Sequence, residues 1–138
     1  MLRRSLLITA AALCAAASAL AQNTWPSKPV KIVVPTGPGS SLDLIVRAMS
    51  EKLAARWGQP VVVENKPGAG GMLGMDLVAK ATDAHTLGIG FNGPIAFAPF
   101  LSRKMPYDPT KELVPVVMTT SQANVLAVNA EKVSAKTV

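Results

Sequence analysis

Residues 30–43 read VKIVVPTGPGSSLD, and the reading of this stretch decides the fold. Val30 to Val34 is short, rich in β-branched residues and closed by Pro35, the pattern of a buried strand. Thr36, Gly37, Pro38, Gly39, Ser40 and Ser41 follow as a loop almost bare of side chains. A helical pattern then begins: Leu42, Ile45, Val46, Met49, Leu53 and Trp57 recur at three-to-four spacing up to Gly58. Ser40 or Ser41 can cap that helix. Asp43 stands in its first turn, where a carboxylate meets unpaired N–H groups and the positive end of the helix dipole. Such a loop is either a tight turn, which needs glycine and serine anyway, or a backbone surface shaped for a ligand.

The same unit repeats along the chain. Val61 to Glu64 reads as a second strand, Asn65 to Gly71 as a loop and Met72 to Ala81 as a second helix. Thr86 to Gly90 reads as a third strand, Phe91-Asn92-Gly93-Pro94 as its loop, and Ile95 to Leu101 as a third helix with Pro94 in its first turn. Strands alternating with helices at this spacing predict an α/β fold, a parallel sheet with flanking helices. Leu113 to Thr120 and Val125 to Val128 are further strand candidates. Each strand runs through a glycine-containing loop into a helix start, which suits an anion such as a carboxylate or phosphate.

The first residues stand apart. A basic start at Met1 to Arg4, an apolar stretch from Leu6 to Ala17 and Ala19-Leu20-Ala21 before Gln22 predict a secretory signal peptide over 1–21. The stretch is shorter than the roughly 20 residues a membrane span needs. Cleavage near Ala21 would leave 117 residues without the one cysteine, Cys14, and so without a thiol nucleophile or thiolate metal site. The whole chain carries +6; without Arg3 and Arg4 the balance is +4, its basic residues scattered singly apart from the adjacent Arg103 and Lys104. Few aromatics accompany those charges, which argues against a nucleic-acid surface.

Catalysis and cofactor binding find little support. The first loop lacks the lysine of a phosphate-cradling G-x-x-x-x-G-K-[ST] motif, and Leu42 and Leu73 stand where the first two loops would need a third glycine for G-x-G-x-x-G. Gly88-Ile89-Gly90-Phe91-Asn92-Gly93 matches, but its first glycine falls inside the third strand. His85, the single histidine, lies before that strand with no acidic or nucleophilic partner in view and reads as a surface or turn residue. Asp43 could be a general base, although its helix-start position favours a cap or loop brace. Ser40 and Ser41 lack a base, and no cluster suits a metal. No cofactor is expected. Trp25, Trp57, Tyr107 and the methionines read as packing.

Several motifs in register resemble one family. Pro35, Pro38, Gly39 and Asp43 form P-x-x-P-G-x-x-x-D after the first strand, and Gly58 to Gly71 reads GQPVVVENKPGAGG. Gly90-Phe91-Asn92-Gly93-Pro94 and Met105 to Leu113 (MPYDPTKEL) follow in the same order. Together they are similar to the Bug family, the extracytoplasmic solute receptors of tripartite tricarboxylate transporters. Two features depart from the family pattern: Ser40 and Ser41 stand where glycine is common, and Thr82-Asp83-Ala84-His85 replaces the usual Pro-Asp-Gly-Tyr.

The resemblance implies a periplasmic binding protein of type II, a monomer of two α/β domains closing on a ligand. The family chain is more than twice this length, so the resemblance implies a truncated chain. Residues 22–120 would hold the N-terminal part of domain one, and 121–138 a crossover strand and the start of domain two. The first and third strands would be neighbours, with the second beyond the first. The implied function is to capture a small organic carboxylate in the periplasm and deliver it to membrane transporter subunits, without enzymatic activity. Thr36, Gly37, Pro38, Gly39, Ser40 and Ser41 would line one wall, Asp43 would brace it, and Phe91, Asn92, Gly93 and Pro94 would line the other. The alternatives are an exported α/β enzyme holding a nucleotide or cofactor at Gly88 to Gly93, and a non-functional gene fragment.

Overall fold

The computed structural model describes residues 25–123, 125, 127–129 and 131–132; the expected signal peptide and Cys14 lie outside the described residues. Strand β1 (Val30–Val34) is the middle of a three-stranded parallel sheet in the order β2-β1-β3, with β2 at Val61–Asn65 and β3 at Thr86–Gly88. Its register sets Val30 beside Val61, Val34 beside Asn65 and Val33 beside Gly88. Every residue of β1 except Lys31 is buried. A central parallel strand is covered on both faces, so it reads as a continuous apolar run and not as an alternation.

Helix α1 (Ser41–Trp57) covers one face. Ile32, Val34, Val46 and Ile89 form the core there, with Leu42, Ile45, Leu53, Val61, Val63 and Leu87 packed around them. Ser40 is the cap, its hydroxyl accepting from Asp43 N–H, and Gly58 ends the helix in the left-handed region (φ 65°) while donating to Ala54 O. Helix α2 (Met72–Ala79) covers the other face, over β1 and β3. The chain moves outward from β1 to β2 and then returns past β1 to β3. Crossovers of one hand therefore place the two helices on opposite faces. Over β2, where α2 does not reach, Glu64 joins Lys31 (3.1 Å) and Lys66 (2.7 Å) on the sheet surface.

Close approach on the α2 face depends on missing side chains. A Cβ on Gly88 would lie 2.7 Å from Val78 Cγ2, and one on Gly74 would lie 2.8 Å from Pro35 Cα and 2.9 Å from Lys66 O. Gly74 thus presses the first half of α2 against the chain as it leaves β1. That contact sets where the loops after β1 and β2 sit.

Several elements differ from the sequence expectation. A single 3-10 turn, Ala69–Gly71, precedes α2, and α2 and β3 each stop two residues early. The third helix begins at Gly93 as a π-helical turn, Gly93–Phe97, and runs into a short α-helix, α3 (Ala98–Leu101). Pro99 has no N–H to return to Ile95, so one regular α-helix cannot continue through this stretch. The strand expected over Leu113 to Thr120 is irregular, with Val114, Val116, Val117 and Met118 each at least 75% exposed. A strand exists only when its N–H and C=O groups find a partner; none lies alongside among the described residues, and Pro115 removes one donor. The described residues of Val125 to Val128 are likewise not in a strand.

His85 follows a bend just before β3, but it is not the surface residue the sequence suggested: it is buried and bonded through both ring nitrogens. Nε2 accepts from Ser27 N–H (3.2 Å), so Nδ1 carries the proton and donates to Asp83 O (2.8 Å). Trp25 donates from Nε1 to Ala84 O and packs edge-on to Trp57, with ring centroids 5.2 Å apart. These contacts clasp the segment before β1 onto the end of the sheet opposite the loops.

Gly74→Ala should destabilise the protein by about 1–3 kcal/mol, because the methyl group meets main-chain atoms that cannot step aside. Chemical denaturation followed by circular dichroism measures this, and an unchanged midpoint would show that α2 is not seated on the β1 end.

Candidate functional site

Three loops leave the C-terminal ends of the three parallel strands. The first, Thr36 to Ser40, is shaped by hydrogen bonds and not by packing. Gly39 takes φ 79°, and neither Gly37 nor Gly39 has any atom within 4 Å of where a Cβ would stand. Thr36 Oγ1 and Ser40 Oγ are 2.6 Å apart, and Ser40 N–H donates to Gly37 O (3.3 Å). Ser40 is half-buried and Ser41 is exposed.

Asp43 holds this loop. Its side chain is turned inward and only 1% of the residue is exposed. Oδ2 accepts from Gly39 N–H (2.8 Å), Oδ1 accepts from Asn65 Nδ2 (2.9 Å), and Arg47 Nε lies 3.0 Å from both oxygens. Arg47 foremost, then the Gly39 N–H and Asn65, hold the Asp43 carboxyl down at about 2, below its ordinary 3.8. Asp43 is therefore an ionised brace whose lone pairs are occupied, which removes it as a general base. Arg47 balances its charge, so the start of α1 still presents positive potential to the loop.

The second loop passes through three glycines at positive φ, Gly68 (140°), Gly70 (65°) and Gly71 (94°), with Ala69 at 48°. A Cβ on Gly71 would lie 2.9 Å from the Phe91 ring and 3.2 Å from Pro94. The Phe91 ring also lies against Gly93, whose Cβ would stand 2.7 Å from it. Pro94 is buried, and its carbonyl accepts from the buried Tyr107 hydroxyl at 2.7 Å, so the MPYDP segment anchors the third loop. Asn92 is exposed. The start of α2 thus stands between the other two loops, touching Pro35 through Gly74 and Phe91 and Pro94 through Gly71. Two cavities lie nearby. One of about 210 Å³ is lined by Lys31, Val33, Glu64, Lys66, Leu77, Ala81 and Thr86. The other, about 340 Å³, is lined by Ala69, Met72, Leu73, Asp76, Lys104 and Pro106. Neither is lined by Thr36 to Ser41 or by Phe91 to Pro94.

The glycines of Gly88 to Gly93 serve internal packing. Gly88 admits Val78, Gly90 admits the Ile95 side chain, and Gly93 admits the Phe91 ring. That accounts for the G-x-G-x-x-G match without a phosphate. Among the described residues no three acidic, histidine or cysteine side chains converge to hold a metal.

A family model for the tripartite tricarboxylate transporter family receptor matches residues 45–138. The chain belongs to that receptor family. Among curated relatives, a UPF0065 protein of Bordetella bronchiseptica is 37% identical over 131 residues, 94% of this chain and 39% of that protein. Protein BugT of Bordetella pertussis is 38% identical over 82% of this chain and 35% of its own length. The chain thus spans well under half the length of these relatives. MatC from Rhodopseudomonas palustris with bound malate superposes with a TM-score of 0.60 at 38% identity, over 64% of this chain and 30% of that one. A second R. palustris protein, solved with adipate, superposes with a TM-score of 0.59 at 34% identity, over 62% and 29%. The fold is therefore that of the corresponding part of a periplasmic binding protein, and the strand order β2-β1-β3 agrees with the order the resemblance implied.

Two residues of the network around Asp43 escaped the sequence reading, Asn65 and Arg47. Arg47 stands four residues after Asp43, the spacing of a helical ion pair, and that signal was available. Asn65 had only a weak one, a polar residue at the end of a strand.

Lowering of the Asp43 carboxyl on folding stabilises the protein at pH values above its ordinary range. That stability should be present in full above about pH 4 and lost as the pH falls towards about 2. Asp43→Asn should be less stable at neutral pH and lose less on acidification, though Asp108, also held at about 2, leaves a residual slope. Urea denaturation of both proteins from pH 7 to pH 2 measures this; parallel curves would show that Asp43 is not the loop's charged brace.

Proposed function

We propose that this protein is an exported, non-enzymatic periplasmic receptor that captures a small organic carboxylate. It would deliver that ligand to the membrane subunits of a tripartite tricarboxylate-type transporter. Membership of the receptor family supports the class of activity. The dicarboxylates named in the two solved relatives, malate and adipate, support the ligand class. The single observation that carries the reading to this chain is the first loop. Gly37, Ser41 and Leu42 N–H groups have no hydrogen-bond partner among the described residues, beside the start of a 17-residue helix and in front of open space. Unpaired N–H groups at a helix start bind anions.

On this reading Thr36 to Ser41 form one wall of the pocket, Phe91 to Pro94 form the other, and Asp43 braces the first from behind without touching the ligand. Residues 1–21 act as the signal peptide, cleaved near Ala21. Residues 22–120 belong to the first of two α/β domains, 121–138 lead towards the second, and the receptor works as a monomer. Strands β1 and β3 are adjacent while β2 lies on the other side, so the two walls flank a switch point where open α/β sheets take their ligands.

Gly37 offers a clean test. Its φ lies outside the left-handed region and a Cβ there meets nothing, whereas any side chain at Gly39 would be strained by φ 79°. Gly37→Ala keeps the N–H but sets a methyl group in the open space beside it. It should therefore leave the melting temperature unchanged and, by pushing the carboxylate off that N–H, weaken dicarboxylate binding by roughly 1.5–3 kcal/mol, the worth of a hydrogen bond to a charged group. Calorimetry of the intact protein with malate, adipate and a tricarboxylate measures both claims. Tight binding of a cation or a neutral sugar in place of these acids would refute the ligand class, and unchanged affinity in the variant would take the loop out of the pocket.

A further inference from the structure

The end of β2 controls which backbone groups the first loop can offer. Asn65 lies beside Val34 at the last step of the sheet. Its amide is used at both ends: Nδ2 donates to Thr36 O (3.1 Å) and to Asp43 Oδ1 (2.9 Å), while Oδ1 accepts from Arg47 Nη2 (3.1 Å). The reverse orientation would set an oxygen against two acceptors and an NH₂ against a donor, so the partners themselves fix the amide. Arg47 in turn is held by Asp43.

The bond to Thr36 O has a directional consequence. In a trans peptide the C=O and the following N–H point in opposite directions. With the Thr36 carbonyl turned towards Asn65, the Gly37 N–H must point away from β2. It has no acceptor among the described residues, and the space where a Gly37 side chain would stand is open. The neighbouring donors are already used: Gly39 N–H by Asp43, Ser40 N–H by Gly37 O.

We propose that Asn65, fixed by Arg47, is a positioning residue for anion capture: it does not touch the ligand but turns the Thr36–Gly37 peptide so that Gly37 N–H faces the bound carboxylate. The inference rests on the receptor reading above. A residue that merely stapled the strand to the loop would affect stability alike with and without ligand. A positioning residue must also change the direction of one N–H.

The experiment compares the intact wild-type protein with Asn65→Ala and, should that variant not fold, with Arg47→Gln, which removes the support of the amide. Malate and adipate are the probes, and the readouts are calorimetric affinity and the NMR resonances of Thr36 ¹³C′ and Gly37 ¹⁵N–¹H. In wild type, probe binding should shift the Gly37 amide strongly. In the variant, the Thr36 and Gly37 resonances should move already without ligand. Affinity for the probe should fall about tenfold or more, the fold-change of one lost hydrogen bond to a charged group, and the Gly37 response to the probe should shrink. Two results would overturn the proposal: ligand-free Thr36 and Gly37 resonances that match wild type, or weakened affinity with the full Gly37 response retained. A wild-type protein that binds neither probe, while the ligand-free resonances of the variant still move, would refute the receptor reading and with it any role in capture. The failure of that reading is thereby separated from failure of the positioning claim.

Discussion

A carboxylate that is 1% exposed at the start of a helix must be satisfied from every side, and the way Asp43 is satisfied organises this end of the molecule. Burial of a charge is costly unless hydrogen bonds and an opposite charge replace water. Here the replacements come from three different pieces of chain: the first loop through Gly39, α1 through Arg47 and the end of β2 through Asn65. One ion thereby makes the loop conformation conditional on the sheet register and on the helix being in place. The loop has no core of its own. Its rigidity is borrowed from elements that do.

The second and third loops are fixed by another means. Around α2 and the π-helical turn, glycines mark where two elements approach more closely than a methyl group allows: Gly71 to Phe91 and Pro94, Gly74 to Pro35, Gly88 to Val78. Tyr107 then closes the third loop from outside by its bond to Pro94 O. Polar bonds therefore set the first loop, and shape sets the other two. On the proposed function the difference has a reason. A wall that must present N–H groups cannot be covered by side chains, whereas a wall that supplies a surface can be packed tight.

Most of the fold was legible because its signals are local. The β-branched run of Val30 to Val34, the three-to-four spacing from Leu42 to Trp57, and Gly58 at the helix end each act within one element. Their predicted bounds lie within a residue or two of the observed ones. The order β2-β1-β3 came from family resemblance, since nothing local in three apolar runs says which one is central. What failed was non-local. Leu113 to Thr120 has strand composition, but a strand is a relation between two segments and not a property of one. His85 was placed in a turn by its neighbours, yet its burial depends on Ser27, nearly sixty residues away. At the candidate site, the bracing role of Asp43 could be read from its position. The role of Asn65 could not, because its three partners are 18, 22 and 29 residues distant.

On the proposed function, an ionised aspartate beside a loop that holds an anion poses an electrostatic question, and the geometry contains its resolution. If Asp43 pointed into open space it would repel a carboxylate with the energy of two like charges a few ångströms apart, about 1 kcal/mol in water and severalfold more near a protein surface. Instead both oxygens face Arg47 at 3.0 Å, and the Gly39 N–H is directed back at the acid. The pair is close to neutral when viewed from the loop, while the α1 dipole remains, with the N–H groups of Gly37, Ser41 and Leu42 that find no partner among the described residues. Recognition by main-chain donors reads charge and the direction of a carboxylate but little of what is attached to it. On the proposed function, that property is compatible with relatives that hold malate and adipate on one fold. It leaves discrimination between acids to groups with side chains, and in the first loop the exposed Ser41 hydroxyl is the one not already engaged by the loop itself.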